Sequence, residues 1–160
     1  GAGGTNRKTA ASRLKTYIGS TGKVLQVIQA TSTTTDTTTS TSFVNTSLSA
    51  AITPSASSSK VIIMVTGSAK SADSGANAIY TISVGTTNLV NNHAETGLTS
   101  LQLPADNIIN TPLAMQFLHS PNTTSATTYR VRHRTTNSNG ASVFGESNHM
   151  SSMILMEIGA

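Results

Sequence analysis

Between Gln29 and Thr53 the chain reads QATSTTTDTTTSTSFVNTSLSAAIT, built almost wholly of threonine and serine around one charge, Asp36. An unstructured stalk of such composition is rich in proline and shows no apolar period. Here the first proline is Pro54, and Leu48, Ala50 and Ile52 return at every second position. Just before them, Phe43 and Asn45 fall on one face and Val44 and Thr46 on the other. That is the spacing of a half-buried strand, and β-branched threonine favours extended backbone. The stretch therefore predicts two strands around a Thr-rich loop or edge segment. Strands need partners, so the rest of the chain must supply them.

It does. Lys23 to Thr31 is strand-like, after a Gly-Ser-Thr-Gly turn. Lys60 to Ser68 is apolar on both faces, with Val61, Ile63 and Val65 against Ile62 and Met64. Such a strand is expected to be covered on both sides. Ala78 to Val84 alternates, a further short strand is expected within Thr86 to Val90, and His93 to Leu103 reads as loop with one short strand. Pro112 to His119, Thr127 to Thr136, the ASVFG run after Asn137 to Gly140, and Ser151 to Ile158 complete the series. Eight to ten short strands at near-regular spacing, broken by Gly, Pro, Ser and Asn, predict a sandwich or barrel. The expected fold is all-β, a jelly-roll-like antiparallel β-sandwich over residues 23–160 with an extended N-terminal arm over residues 1–22.

Charge separates the same two parts. Arg7, Lys8, Arg13, Lys15 and Lys23 are five of the 10 basic residues and have no acid among them; five basic against six acidic residues leave −1 beyond Lys23. Only 10% of residues are charged, against roughly a quarter in ordinary soluble domains. The body must present a nearly neutral surface of Thr, Ser and Asn. No cysteine is present, which removes disulfides, zinc thiolates and thiol chemistry. No apolar run reaches the roughly 18 to 20 residues that span a bilayer, and the N-terminal stretch lacks the apolar segment of a secretory signal. No membrane partner is expected.

The segments GKVLQVIQATSTT, TSTSFVNTSLSAAITPSASSSKVIIMVTG, SPNTTSATTYRVRHRT and SSMILMEI, in that order, resemble a group of tailed-phage virion proteins. The group includes tail-fibre tips and capsid decoration (cement) proteins, notably of phages that infect cyanobacteria and other aquatic bacteria. The resemblance runs roughly from Gly22 to Ile158, and the order of the segments is more specific than any one of them. The stretch from Gly85 to Asn110 does not share in it. It carries no catalytic motif. What it implies is an externally placed, trimeric β-sandwich attached to the virion by its N-terminal side.

Candidate chemistry in the residues themselves is sparse. Of four histidines (His93, His119, His133, His149), only His93 with Glu95 and His149 with Glu146 lie near a carboxylate in sequence. Each is one pair without a third ligand, short of a metal site; both read as surface turns, and no cofactor is expected. No G-x-S-x-G elbow and no phosphate loop occurs, and the six acids are scattered rather than paired as in a glycan hydrolase. An enzyme is not expected. Asn45 and Asn122 head N-x-[ST] patterns, which chance supplies readily in so Thr-rich a chain.

Three groups remain as candidate sites. Arg7, Lys8, Arg13, Leu14, Lys15, Tyr17 and Ile18 form a basic arm whose Leu14 and Ile18 share a face at helical spacing. It reads as a segment that docks on a partner protein, weighed against a solubility tail and against nucleic-acid contact. Ordering costs about 1 to 2 kcal/mol per residue, so the apolar residues must bury area along with the charges. Arg130, Arg132 and Arg134 share one strand face. They are either a solvated face bonded to Thr and Asn, or a contact with acidic groups on a neighbouring subunit or with host glycans. Met153 and Leu155 sit in a strand apolar on both faces. That strand is either central in its sheet, or Met153 and Leu155 cover a neighbouring subunit.

The expected function is structural: a homotrimer on the outer surface of a capsid that bridges coat subunits. The partners would be the major capsid protein or another virion protein, together with further copies of the chain; no direct nucleic-acid contact is expected. The alternative is a tail-fibre or receptor-binding knob that uses the loops Ser71–Asn77 and Asn91–Leu98 on host polysaccharide. Fibres carry a long shaft before the knob, and only residues 1–22 precede this sandwich, which favours decoration.

Overall fold

The computed structural model describes residues 22–72, 76–90, 97–102 and 109–159. The basic arm, Arg7 to Ile18, lies outside the described residues, as do His93, Glu95 and much of the two loops expected to meet polysaccharide. Among the described residues there are eleven strands and no helix: β1 (Val24–Ser32), β2 (Asp36–Thr38), β3 (Val44–Ile52), β4 (Lys60–Ala72), β5 (Asn77–Val84), β6 (Thr87–Asn88), β7 (Thr99–Gln102), β8 (Ile109–His119), β9 (Thr127–Thr135), β10 (Ala141–Phe144) and β11 (Ser151–Ile158). They form two antiparallel sheets packed face to face, a β-sandwich.

The first sheet is organised on β4. On one side β8 runs against it from Val61 to Ser71. On the other, β11 pairs with Lys60–Thr66 and β10 with Ala69–Ala72, end to end. Outside these lie β1, on β11, and β2, on β10. The second sheet runs β3, β9, β5, with β7 and β6 sharing the far side of β5. The chain crosses from one sheet to the other between β2 and β3, β3 and β4, β4 and β5, β7 and β8, β8 and β9, and β9 and β10.

The alternation read from the sequence places the core. Val61, Ile63 and Val65 of β4, Leu48 and Ile52 of β3, Tyr80 and Ile82 of β5, Tyr129 and Val131 of β9, Phe144 of β10, and Met153 and Leu155 of β11 are all buried in one cluster. At roughly 25 cal/mol per Å² of apolar surface removed from water, each such side chain contributes about 1.5 to 3 kcal/mol. The Thr-rich run divides as expected into the short edge strand β2 and the longer β3. Between Asn45 and Ser49 the register of β3 on β9 shifts. There the Thr46 hydroxyl donates to the Val131 carbonyl at 2.9 Å, and the Ser47 N–H and hydroxyl donate to Asp36 Oδ2 at 2.9 and 2.8 Å. Side chains thus take up hydrogen bonds that the interrupted ladder leaves open.

Of the two alternatives for β11, the central position holds, between β1 and β4; the other is corrected, as is the covered outer face of β4. Met153 and Leu155 are both 0% exposed inside the sandwich, so they cover the chain's own core and no neighbouring subunit. The residues of β11 that turn away from the core are Ile154, Met156 and Ile158, all partly exposed. Likewise β4 is central, but Ile62 and Met64 on its outer side are partly exposed rather than covered. β-strand periodicity identifies two apolar faces; it does not say which one the opposite sheet will occupy.

Gly145 marks the chain's exit from β10. Its φ of +74° is in the left-handed region, and a Cβ there would sit 2.5 Å from the Thr34 carbonyl oxygen. Gly145→Ala is expected to cost more than about 1 kcal/mol. Leu155→Ala is expected to cost about 2 to 5 kcal/mol through the cavity it opens. Urea unfolding followed by circular dichroism checks both.

Candidate functional site

The outer face of the second sheet carries the arginines. Arg130, Arg132 and Arg134 lie directly across from Ser83, Thr81 and Ile79 of β5. All three of these β5 residues are at most 1% exposed, although they point away from the core. Arg132 and Arg134 tie the turn after β5 and the segment before β3 to this face. Arg132 donates through Nη1 to the Thr86 carbonyl at 2.9 Å and to Asn88 Oδ1 at 2.8 Å, and through Nη2 to the Phe43 carbonyl at 2.5 Å. It therefore bridges the turn after β5 and the segment before β3. Arg134 donates to the Thr41 carbonyl at 3.1 Å. Its guanidinium carbon lies 5.3 Å from the centre of the Phe43 ring, and that of Arg132 lies 5.9 Å away. Both distances are within cation–π range.

The three arginines expected to act together are thus divided. Arg134 is only 8% exposed, and Arg132 is engaged by the chain's own backbone. Arg130 lines a shallow recess of about 350 Å³ with Asn45, Gly85, Thr86 and Thr128, and its Nε has no hydrogen-bond partner. The recess offers one guanidinium among uncharged donors and acceptors, a surface suited to polar ligands with a single anionic or hydroxyl group. A second recess, of about 390 Å³, lies on the first sheet between Ser68, Asn110 and Met150. On its rim the Glu146 carboxylate accepts from Asn110 and stands 3.3 Å from His149 Nδ1.

Two buried polar clusters escape a reading of the sequence. In the first, His133 (1% exposed) stacks on Tyr80 at 6.2 Å between ring centres, and its Nδ1 is 3.1 Å from the hydroxyl of buried Ser142. The Tyr80 hydroxyl donates to the Val143 carbonyl at 2.6 Å. Burial pushes the Tyr80 phenol up to about 12. Burial also pushes the His133 imidazole down to about 4, against a smaller opposing pull from Asp36. A serine beside a histidine invites a catalytic reading. Here both are sealed in the core, and the Asp36 carboxylate is bonded to Ser47 rather than to the imidazole.

The second cluster closes one end of the sandwich. Glu157 is 0% exposed and lies on the same face of β11 as Met153 and Leu155. It accepts from the Ser55 N–H at 2.7 Å, the Ser55 hydroxyl at 2.6 Å and Gln26 Nε2 at 2.6 Å. Burial alone would raise its pKa; the hydrogen bonds from Ser55 and Gln26 outweigh that and hold it near 2. Residues 153, 155 and 157 are in phase, but a carboxylate in that phase ordinarily marks an exposed face, so alternation alone does not find it.

No group of three metal-ligating side chains occurs among the described residues, and they include no helix long and apolar enough to cross a membrane. No family model and no curated protein sequence matches the chain.

Arg132→Ala removes a cation that satisfies two backbone carbonyls, and is expected to cost about 1.5 to 3 kcal/mol. Arg130→Ala is expected to stay within about 0.5 kcal/mol. Urea midpoints separate the two. The buried titrating groups also set the response to acid. His133 has a folded value near 4, below its unfolded value near 6.5. The unfolded chain therefore binds more protons between those limits, and stability falls as pH drops from about 6.5 to 4. Glu157, with a folded value near 2, contributes stability that is complete above about 4.5 and is lost as pH falls toward 2. His133→Asn should flatten the upper window and Glu157→Gln the lower one, in unfolding free energies measured against pH.

Proposed function

We propose that the chain is a structural protein of a tailed-phage virion, a homotrimer that decorates and cements the capsid, with residues 1–22 as its anchor. The observation that carries this reading is where the resembling segments fall. They supply β1, β3, β4, β9 and β11: an edge strand and two inner strands of the first sheet, and an edge strand and one inner strand of the second. The likeness is therefore to a frame that spans both sheets of the sandwich. The strand orders β1-β11-β4-β8 and β3-β9-β5-β6, with the chain passing repeatedly between sheets, support the jelly-roll form of that frame.

The mechanism is mechanical. A sandwich with a nearly neutral surface makes contacts that salt does not weaken. Each copy adds buried area across a joint between coat subunits, and many modest contacts made at once resist internal pressure through multivalency. A closed trimer matches the local threefold points of an icosahedral shell. The arm supplies the charges of Arg7, Lys8, Arg13 and Lys15 and the apolar area of Leu14, Tyr17 and Ile18 to the contact with the shell.

A receptor-binding knob is the second reading. It is favoured by the recess at Arg130, whose lining of Asn45, Thr86 and Thr128 suits the hydroxyls of a polysaccharide.

Deletion of residues 1–18 is expected to abolish occupancy on particles assembled from coat protein while leaving the sheet circular dichroism unchanged. Full occupancy by the truncated chain would rule out the anchor. Densitometry of purified particles separates the two readings: hundreds of copies per particle indicate decoration, a few dozen or fewer a fibre.

A further inference from the structure

The outward face of the first sheet is an apolar surface that no part of the described chain covers. Cross-strand pairing sets out its rows. Val27, Met156, Ile62 and Leu118 lie side by side across β1, β11, β4 and β8. The next row is Gln29, Ile154, Met64 and Gln116, and the one beyond is Thr31, Ser152, Thr66 and Ala114. On the other flank Val24 pairs with Ile158, and Ile158 with Lys60. Val27 is 55% exposed and Leu118 54%; the methionines and isoleucines between them are partly exposed. Four strands about 4.8 Å apart and four outward rows about 6.8 Å apart make a flat area of about 500 Å². Roughly half of that area is apolar, centred on Met156, Ile62, Ile154 and Met64 and rimmed by Gln, Thr and Ser; an exposed apolar patch with a polar rim marks an interaction site.

We propose that this face is where a second copy of the same chain docks. A face that meets the same face of a second copy closes as a two-fold pair, so the contact goes beyond the trimeric reading above and does not depend on it. Three observations choose this occupant. First, two such faces together bury about 1,000 Å², the lower bound for a specific protein interface. Second, the face has almost no charge. Glu157, the one acid on these four strands, points inward, and alternation turns only Lys60 and Lys70, toward either end of β4, outward. A surface that meets its own copy must avoid like charges at its centre, whereas a partner chosen by charge would need them there. Third, the central row is apolar in the middle and carries a glutamine at both edges. An amide has donors and an acceptor together, so glutamines that meet glutamines satisfy each other. The free edge of β1 continues the surface: Val24 and Leu25 are 53% and 45% exposed, with no charge or proline within the strand to deter pairing.

The test uses the full chain. By analytical ultracentrifugation at micromolar concentration, the wild type should sediment as an oligomer that persists at high salt. Ile62→Glu combined with Met156→Glu should reduce it to a single copy with unchanged circular dichroism. Because the chain lacks cysteine, Gln116→Cys provides a second readout that leaves the apolar rows intact. Mild oxidation should cross-link it into dimers on a non-reducing gel, and Ser125→Cys, on an exposed loop away from the face, should not. A wild type that is a single copy at about 100 μM overturns the proposal, whether the face then proves to bind coat protein or stays bare. So does a double variant that keeps the oligomer. An oligomeric wild type that is absent from purified particles would sink the virion reading and leave this interface standing.

Discussion

The structure depends on the hydrogen bonding of β4. Its 13 residues are matched by β8 along nearly the full length of one side, while β11 and β10 divide the other. An extended segment buried at the middle of a sheet must have both rows of backbone groups paired, since each orphaned group costs about 1 to 3 kcal/mol. Every other strand of the first sheet is reached through β4: β1 through β11, and β2 through β10. The alternate residues that β4 sends inward, Val61, Ile63 and Val65, then meet the second sheet. One strand thus fixes both the width of its sheet and the plane on which the sandwich closes.

A chain so poor in charge must stabilise its polar groups by other means, and here they work at the seams. Asp36 bridges β2 to β3, Glu157 bridges β11 to the loop after β3, and Arg132 bridges the segment before β3 to the turn after β5. None of these is an ion pair. Each charged group is hydrogen-bonded by hydroxyls, amides or backbone, which favour the charged form. Thr and Ser are therefore more than a neutral coating: they are the partners that let a few charges sit at structural joints.

The strands were legible because alternation is local. Ala78 to Val84 and Lys60 to Ser68 announce themselves by spacing alone. The choice of face in β11 was not legible, and Glu157 shows why. A carboxylate in phase with Met153 and Leu155 would ordinarily mark that face as the wet one. The ladder inverts the rule because Ser55 and Gln26, 102 and 131 residues away in sequence, converge on the carboxylate. The three arginines of β9 were correctly placed on one face. Their division of labour was hidden, because Arg132 and Arg134 are held chiefly by backbone carbonyls, which any sequence possesses. The short pieces β6 and β7 fall where short strands were expected, within Thr86–Val90 and His93–Leu103, but their bounds were not legible, since two and four residues are too few for a period to show.

The placement of β11 between β1 and β4 bears on how such a chain is made. A ribosome delivers the two flanking strands long before the one that joins them, because residues 151–158 come after all the others described except Gly159. Until they emerge, β1 and β4 each present an open edge, and the inner faces of both lack the methionine and leucine that seal them. Unfinished copies are therefore adhesive in a way that finished ones are not. An open strand edge thus distinguishes a chain still lacking β11 from one that has it.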